Sequence, residues 1–302
     1  MLANLQRFIT LSLVALAVGW LVYWYRSAPW LAVAGFLVIA LGYTAFLALE
    51  FILLRFINKS DPAPQPTWPE LLKAWLGEVL TAPRVFCWRQ PFRTYAVPDH
   101  LIASPAMQGR QGVVFVHGFF CNRALWTPWL ERLHADGRVF AAVSLEPLFG
   151  SIDEYAPQID AAVRQVTEAT GVPPLLVCHS MGGLAARAWL KAHRSEARVR
   201  HVVTIGTPHR GTWLARFSQS HNGRQMRLAS DWQTQLDHEM PADRHGMFTC
   251  WYSNTDNIVF PASTATLPGA DNRLVRGAAH VQMAFLPEVM DATLALLDEH
   301  KS

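Results

Sequence analysis

The residues from Pro173 to Gly183 read Pro-Pro-Leu-Leu-Val-Cys-His-Ser-Met-Gly-Gly. Leu175 to Val177 form the short apolar run of a buried strand, and Met181 to His193 carry a helical pattern. Ser180 therefore falls on a tight strand-to-helix turn. A strained backbone there projects the side-chain oxygen above the sheet, which suits a serine nucleophile. Such a turn needs small residues two before and two after the serine. Here they are Cys178, where the motif usually has glycine, and Gly182, with Gly183 behind it. A serine opening a helix is also a good N-cap, so the turn alone leaves both readings open.

A serine hydroxyl becomes a useful nucleophile when a base takes its proton and fixed donors receive the charge growing on the attacked carbonyl. The donors can be sought upstream. Gly112 to Val116 is a buried-strand pattern, followed by His117-Gly118-Phe119-Phe120. A His-Gly pair lets the chain turn sharply and aim the Phe119 N–H at the serine, with the Met181 N–H as its partner. His117 itself is expected to bond loop backbone rather than substrate. Phe119, Phe120 and Trp126 are candidates for an acyl pocket or for the core. Further on, Met247 to Ser253 reads as a strand, Asn254-Thr255-Asp256-Asn257 as the turn after it, and Gly277-Ala278-Ala279-His280 as a loop before a last helix at Leu286 to Leu297.

These pieces need a scaffold. Arg138 to Leu145 and Arg200 to Ile205 read as strands, and Leu125 to His134 and Ile152 to Thr170 as helices. Alternation of this kind predicts the α/β class, a mostly parallel central sheet with helices on both faces. Three motifs then occur in order: Val116-His117-Gly118-Phe119, Cys178-His179-Ser180-Met181-Gly182-Gly183, and Gly206-Thr207-Pro208-His209-Arg210-Gly211-Thr212. With them, the chain from Gly112 onward resembles the α/β-hydrolase superfamily, in particular its bacterial lipase and esterase branch of triacylglycerol lipase type. The resemblance implies the α/β-hydrolase fold and a triad in the chain order Ser, Asp or Glu, His. It implies Ser180 as nucleophile, His280 as base and Asp256 as acid, because the family's acid sits just past a late strand, here before Val259-Phe260-Pro261. Asp271 is the alternate acid, and a plain turn-forming role is the competing reading of Asp256. His201, His209, His221, His238, His245 and His300 lack the placement of His280. The Phe119 and Met181 amides would form the oxyanion hole. The implied reaction is hydrolysis of a carboxylic ester through an acyl-enzyme, with no organic cofactor and no metal.

The resemblance does not reach the first part of the chain. Phe8 to Tyr25 and Trp30 to Leu49 carry no charge and consist mostly of aliphatic and aromatic residues. Each run is about the 20 residues that cross a bilayer core. Joined by Arg26-Ser27-Ala28-Pro29, they predict a transmembrane hairpin, with Pro29 opening the second helix. Trp20, Tyr23, Trp24, Tyr25 and Trp30 cluster at the turn as an interfacial belt would. A signal peptide cleaved near Ala28 is the alternative; the second apolar run and a poor cleavage site argue against it. Glu50 near the end of the second run is expected to snorkel or to pair within the hairpin. Arg7, Arg55 and Lys59 flank the open ends against Arg26 at the turn, so the ends are expected on the cytoplasmic side of a bacterial inner membrane. Residues 58 to 67 form a Pro-rich spacer. After it, Trp68, Leu71, Leu72, Trp75, Leu76, Val79 and Leu80 make a helical apolar stripe, with Glu70, Lys73 and Glu78 on the opposite face.

The expected organisation is therefore a hairpin at residues 1–57, a linker and amphipathic helix at 58–82, and a catalytic domain at 83–302. Charged residues make up 16% of the 302 and the net charge is +3, with no dense Lys/Arg tract, so nucleic acid is not an expected partner. The expected partners are an ester or lipid substrate and the membrane. Cys87, Cys121, Cys178 and Cys250 show no metal or disulfide spacing. Residues 213–245 break the alternation and are expected to form a lid or an ordinary helical connection. A thioesterase or acyltransferase would carry the same residues, and a non-catalytic binding protein could keep the same fold.

Overall fold

The computed structural model describes residues 1–103, 105–193 and 196–298; His300 lies outside them. Six parallel strands form one sheet: β1 Val113–Val116, β2 Phe140–Ala142, β3 Leu175–His179, β4 His201–Ile205, β5 Phe248–Ser253 and β6 Asp271–Val275, in the order β2-β1-β3-β4-β5-β6. The register sets Val116 beside Cys178, His179 beside Ile205, and Ser253 beside Val275, so the ends that carry the motifs line one edge.

Parity along the strands decides which face each residue serves, because successive side chains point to opposite faces. Val114, Val116, Ala141, Leu176, Cys178 and Val202 join one core with helices α6 (Ala156–Thr170) and α7 (Met181–His193). Val113, Phe115, Phe140, Leu175, Val177 and Val203 join the other, against α5 (Thr127–Ala135), α10 (His280–Met283) and α11 (Pro287–Ala295). A sheet covered on both faces explains why its central strands β1 and β3 are near-continuous apolar runs rather than alternating ones.

Two N-terminal helices, α1 (Leu2–Trp24) and α2 (Pro29–Ile57), pair as a hairpin. Both are long and apolar enough to cross a membrane. Pro29 stands in the first turn of α2, and Trp20 Nε1 donates to the Leu31 carbonyl at 3.0 Å near the hairpin tip. Helix α3 (Trp68–Pro83) starts with a capping box between Thr67 and Glu70 and runs through a π-helical stretch, Arg84–Arg89, into α4 (Gln90–Phe92). A third apolar cluster joins α2 and α3 to the sheet domain through Phe51, Leu54, Leu71, Ala74, Phe260 and Ala279.

Helix α3 corrects the amphipathic reading of its sequence. Leu71, Ala74 and Glu78 point inward, whereas Trp68, Leu72, Leu76 and Leu80 are exposed. Glu78 is therefore not on a solvated face, for the reason given by its partners below. Asp271, the alternate acid, starts β6 and pairs with Arg273 at 2.7 Å. Residues 213–245 form two short helices, α8 (His221–Gln225) and α9 (Asp231–Glu239), with 3₁₀ turns on either side. They are tied down by Arg187 to Asp237 at 2.7 Å, by Gln233 Nε2 to the Pro208 carbonyl at 3.2 Å and by Asn222 Nδ2 to the Leu148 carbonyl at 2.9 Å.

Candidate active site

Ser180 stands between β3 and α7 with φ at +55°, a conformation that costs a non-glycine residue strain and is kept only where the surroundings enforce it. They do so here. The Ser180 N–H donates to the Ile205 carbonyl at 2.9 Å, and β-carbons at Gly182 and Gly118 have no room. One at Gly182 would overlap the Val116 carbonyl, and one at Gly118 would lie 2.6 Å from Ser180 Cβ. The loop after β1 thus lies directly against the serine. The fully buried Cys178 takes the place of the motif's first glycine.

His280 and Asp256 form a buried pair, with Nδ1 and Oδ2 2.9 Å apart. The other carboxylate oxygen of Asp256 accepts the N–H groups of Ile258 and Val259 at 2.9 and 2.8 Å, so the turn that holds it is built around it. Gly206, at the end of β4, borders the pair: a β-carbon there would lie 2.9 Å from Asp256 Oδ2 and 3.1 Å from His280 Nδ1. His179, one residue before the serine, reaches the His280 carbonyl through Nε2 at 3.2 Å. Ser180, Asp256 and His280 are each less than a tenth exposed. Asp271 is not brought to His280; it lies at the opposite end of its strand.

Burial opposes a charge on His280, but Asp256 first, then Glu78 and Glu50, outweigh it, and the imidazole pKa is raised above its usual 6.5. His179 moves the other way, because burial and then His280 disfavour its charge. His117 is neutral, with burial pushing it down to about 4. Its Nδ1 pairs with the Gly118 carbonyl at 2.8 Å and its Nε2 accepts the Leu145 N–H at 2.9 Å, which fixes the loop and leaves it a backbone-holding role. Phe120 also has positive φ, at +55°, and Asn122 is pinned to Gln90 through its N–H and its side-chain amide, both at 3.1 Å. The Met181 amide opens α7, where the first N–H groups have no partner within the helix. Trp126 belongs to the core, fully buried against Phe115 and Trp129, whereas Phe119 is half-buried beside Phe120 and Phe149.

Three polar residues against the histidine loop were given no part in the site by the sequence, and Glu50, expected to snorkel or to pair within the hairpin, instead pairs with Asn257 of the sheet domain. Glu78 of α3 accepts the N–H groups of Val281 and Gln282 at 3.1 and 3.0 Å. Glu50 of α2 accepts from Asn257 Nδ2 at 2.7 Å, and Asn257 Oδ1 accepts the His280 N–H at 3.1 Å. A carboxylate inside an apolar span is the one sequence signal that pointed there, since such residues are costly to keep. Among the described residues, no group of three or more His, Cys, Asp or Glu side chains is placed to hold a metal.

Residues 113–296 match the family model described as the alpha/beta hydrolase family. The chain belongs to that family. A triacylglycerol lipase of Burkholderia plantarii is 35% identical over 136 residues, 41% of this chain and 37% of the relative. Another, from Pseudarthrobacter phenanthrenivorans, is 36% identical over 122 residues, 36% of this chain and 37% of the relative. The matched stretch thus spans little more than a third of each lipase. The fold is similar to that of Bacillus licheniformis lipase BlEst2 in mature form, with a TM-score of 0.55 at 19% identity over 65% of this chain and 94% of that one. It is also similar to Aspergillus fumigatus lipase B, with a TM-score of 0.55 at 17% identity over 63% of this chain and 53% of that one.

Proposed function

We propose that this chain is a membrane-anchored serine hydrolase that cleaves carboxylic esters, lipid esters foremost, with Ser180 as nucleophile, His280 as base and Asp256 as acid. The observation that carries the reading is the strained, nearly buried Ser180 at the motif-bearing edge of the sheet, with His280 paired to Asp256 and bonded through its carbonyl to His179, the residue before the serine. In this reading His280 Nε2 takes the Ser180 proton as Oγ attacks the ester carbonyl. Asp256, hydrogen-bonded to Nδ1, fixes the ring and stabilises the imidazolium that forms. The Phe119 and Met181 amides receive the oxyanion, a contribution of several kcal/mol to lowering the barrier in sites of this kind. His280 then protonates the leaving alcohol, and water activated by the same ring releases the acid from Ser180.

The lipid preference rests on the relatives named triacylglycerol lipases and on the exposed apolar helices. Residues 1–57 are the anchor, 58–82 the connection and 83–302 the catalytic domain. Arg7, Arg55 and Lys59 sit at the open end of the hairpin, Arg55 over the Trp68 ring at 4.5 Å, and this favours the cytoplasmic side of a bacterial inner membrane. The exposed stripe of Trp68, Leu72, Leu76 and Leu80 on α3 would rest on the same bilayer face.

The test is fluorophosphonate labelling of the full chain in detergent and in liposomes, with Ser180→Ala as control and the modified peptide identified by mass spectrometry. Label on Ser180, lost in the variant, supports the reading. Folded protein that takes no label in either medium refutes it.

A further inference from the structure

Part of the hydrogen bonding that holds the histidine loop comes from outside the sheet domain. Helix α3 lays Glu78, 2% exposed, across the first turn of α10, so that each carboxylate oxygen accepts one backbone N–H, from Val281 and from Gln282. On the same helix as Glu78, Glu70 pairs with Arg276, five residues before Val281, at 2.6 Å and accepts from Asn254 Nδ2 at 3.3 Å. Helix α2 adds a second path: Glu50 holds the Asn257 amide, and that amide's oxygen takes the His280 N–H. Both loops that carry the proposed base and acid are thereby braced by the N-terminal helices.

We infer that Glu78, and Glu50 acting through Asn257, are positioning residues for His280, so that the membrane-anchoring part completes the active site as well as tethering it. This rests on the triad reading of Ser180, Asp256 and His280. A buried carboxylate is expensive to keep, and a structural contact could be made more cheaply by an apolar pair. Two such groups converging on one catalytic loop are explained by what they do to that loop. They fix the imidazole backbone at two successive N–H groups and at His280 itself. They also set negative charge near the ring, where positive charge develops when it accepts the serine proton. The ionisable groups facing His280 are Asp256 from its own turn, Glu78 from α3, Glu50 from α2 and His179 from β3; those facing Glu78 are His280, Asp256 and Glu50.

The experiment compares full-length wild type, Glu78→Gln, Asn257→Ala and Ser180→Ala in the same detergent, each checked for a single folded species by size exclusion and thermal unfolding. Steady-state kinetics on a soluble p-nitrophenyl ester are measured from pH 5 to pH 9. Glu78→Gln should lower kcat by about 10- to 100-fold, the scale of a small misplacement of a catalytic group, with KM changed by less than about two-fold. Its acid limb should move to lower pH, because one anion facing the imidazole is gone. Asn257→Ala, which keeps every charge, should lower kcat without moving the limb, and it carries the test if Glu78→Gln does not fold. Folded variants with kcat and acid limb within about two-fold of wild type overturn the inference. A Ser180→Ala chain as active as wild type would instead remove the triad reading, and this inference with it.

Discussion

The sheet domain and the N-terminal hairpin bury opposite kinds of residue. All four residues of β1 and the whole of β3 are buried, and they are apolar apart from His179. In the hairpin, Phe8 and Val38 are 70% and 71% exposed, whereas Gln6 and Glu50 are buried. The sheet domain follows the rule for water, where burying apolar surface gains about 25 cal/mol per Å². The hairpin follows it in reverse, which is stable only if something apolar surrounds its outer face. The difference teaches where each solvent ends. Polar groups collect where the two regions meet, and the proposed catalytic residues lie in the same seam.

The largest effect should be seen where the sheet domain breaks its own rule. Ser180→Ala should lower ester hydrolysis by at least about 10⁴-fold, measured as kcat on a chromogenic ester, while unfolding is scarcely changed. An active, folded variant would strip the seam of its chemistry. Next, the two regions can be set against each other by one kind of truncation. Phe115→Ala, at a fully buried strand position, should cost about 3–5 kcal/mol in denaturant unfolding. Val38→Ala should cost almost nothing in the same assay, because its side chain faces outward. Equal losses would mean that the hairpin is packed like the core, and that the contrast is false.

Charge probes the outer solvent directly. Val38→Arg should weaken insertion into membranes by about 2.5–3.5 kcal/mol, read as a shift of full-length protein from membrane to soluble or aggregated fractions. Unchanged partition would place the outer face of the hairpin against something other than lipid.

The smallest effect is in pH. The base must be neutral to act, and the pKa of His280 is raised by its anionic neighbours, so the acid limb of kcat/KM should have its midpoint above 6.5. Burial pushes Glu78 up to about 7 from 4.5. A group whose pKa is raised on folding stabilises the fold fully below its unfolded value and loses that contribution as pH rises through its folded one. On account of Glu78, stability should therefore fall between pH 4.5 and about 7, while activity rises. Thermal melts and rates taken over one pH series would check this, and stability rising together with activity would assign the seam carboxylates the wrong sign.

Much of the candidate site was legible before the fold. Ser180 and Asp256 follow buried strands and His280 opens a short helix, all flanked by residues that are local signals, and the strand preceding the serine is a short apolar run. Asp271 stayed an alternate acid in the sequence because it too precedes His280, and only pairing with β5 placed it at the far end of a strand. Glu78 was misplaced for a related reason. Periodicity tells that a helix has faces but not which of them meets the protein.

The sequence by itself determined the parallel sheet, the order of the motifs and the presence of two long apolar helices. Each of these depends on residues close together in the chain. The tertiary structure alone decided that α2 and α3 reach the loops of Asp256 and His280. That contact joins Glu50 to Asn257 and Glu78 to Val281 and Gln282, over 200 residues apart. No local pattern encodes such a pairing, because a buried carboxylate is tolerated only where distant backbone and amide donors converge on it.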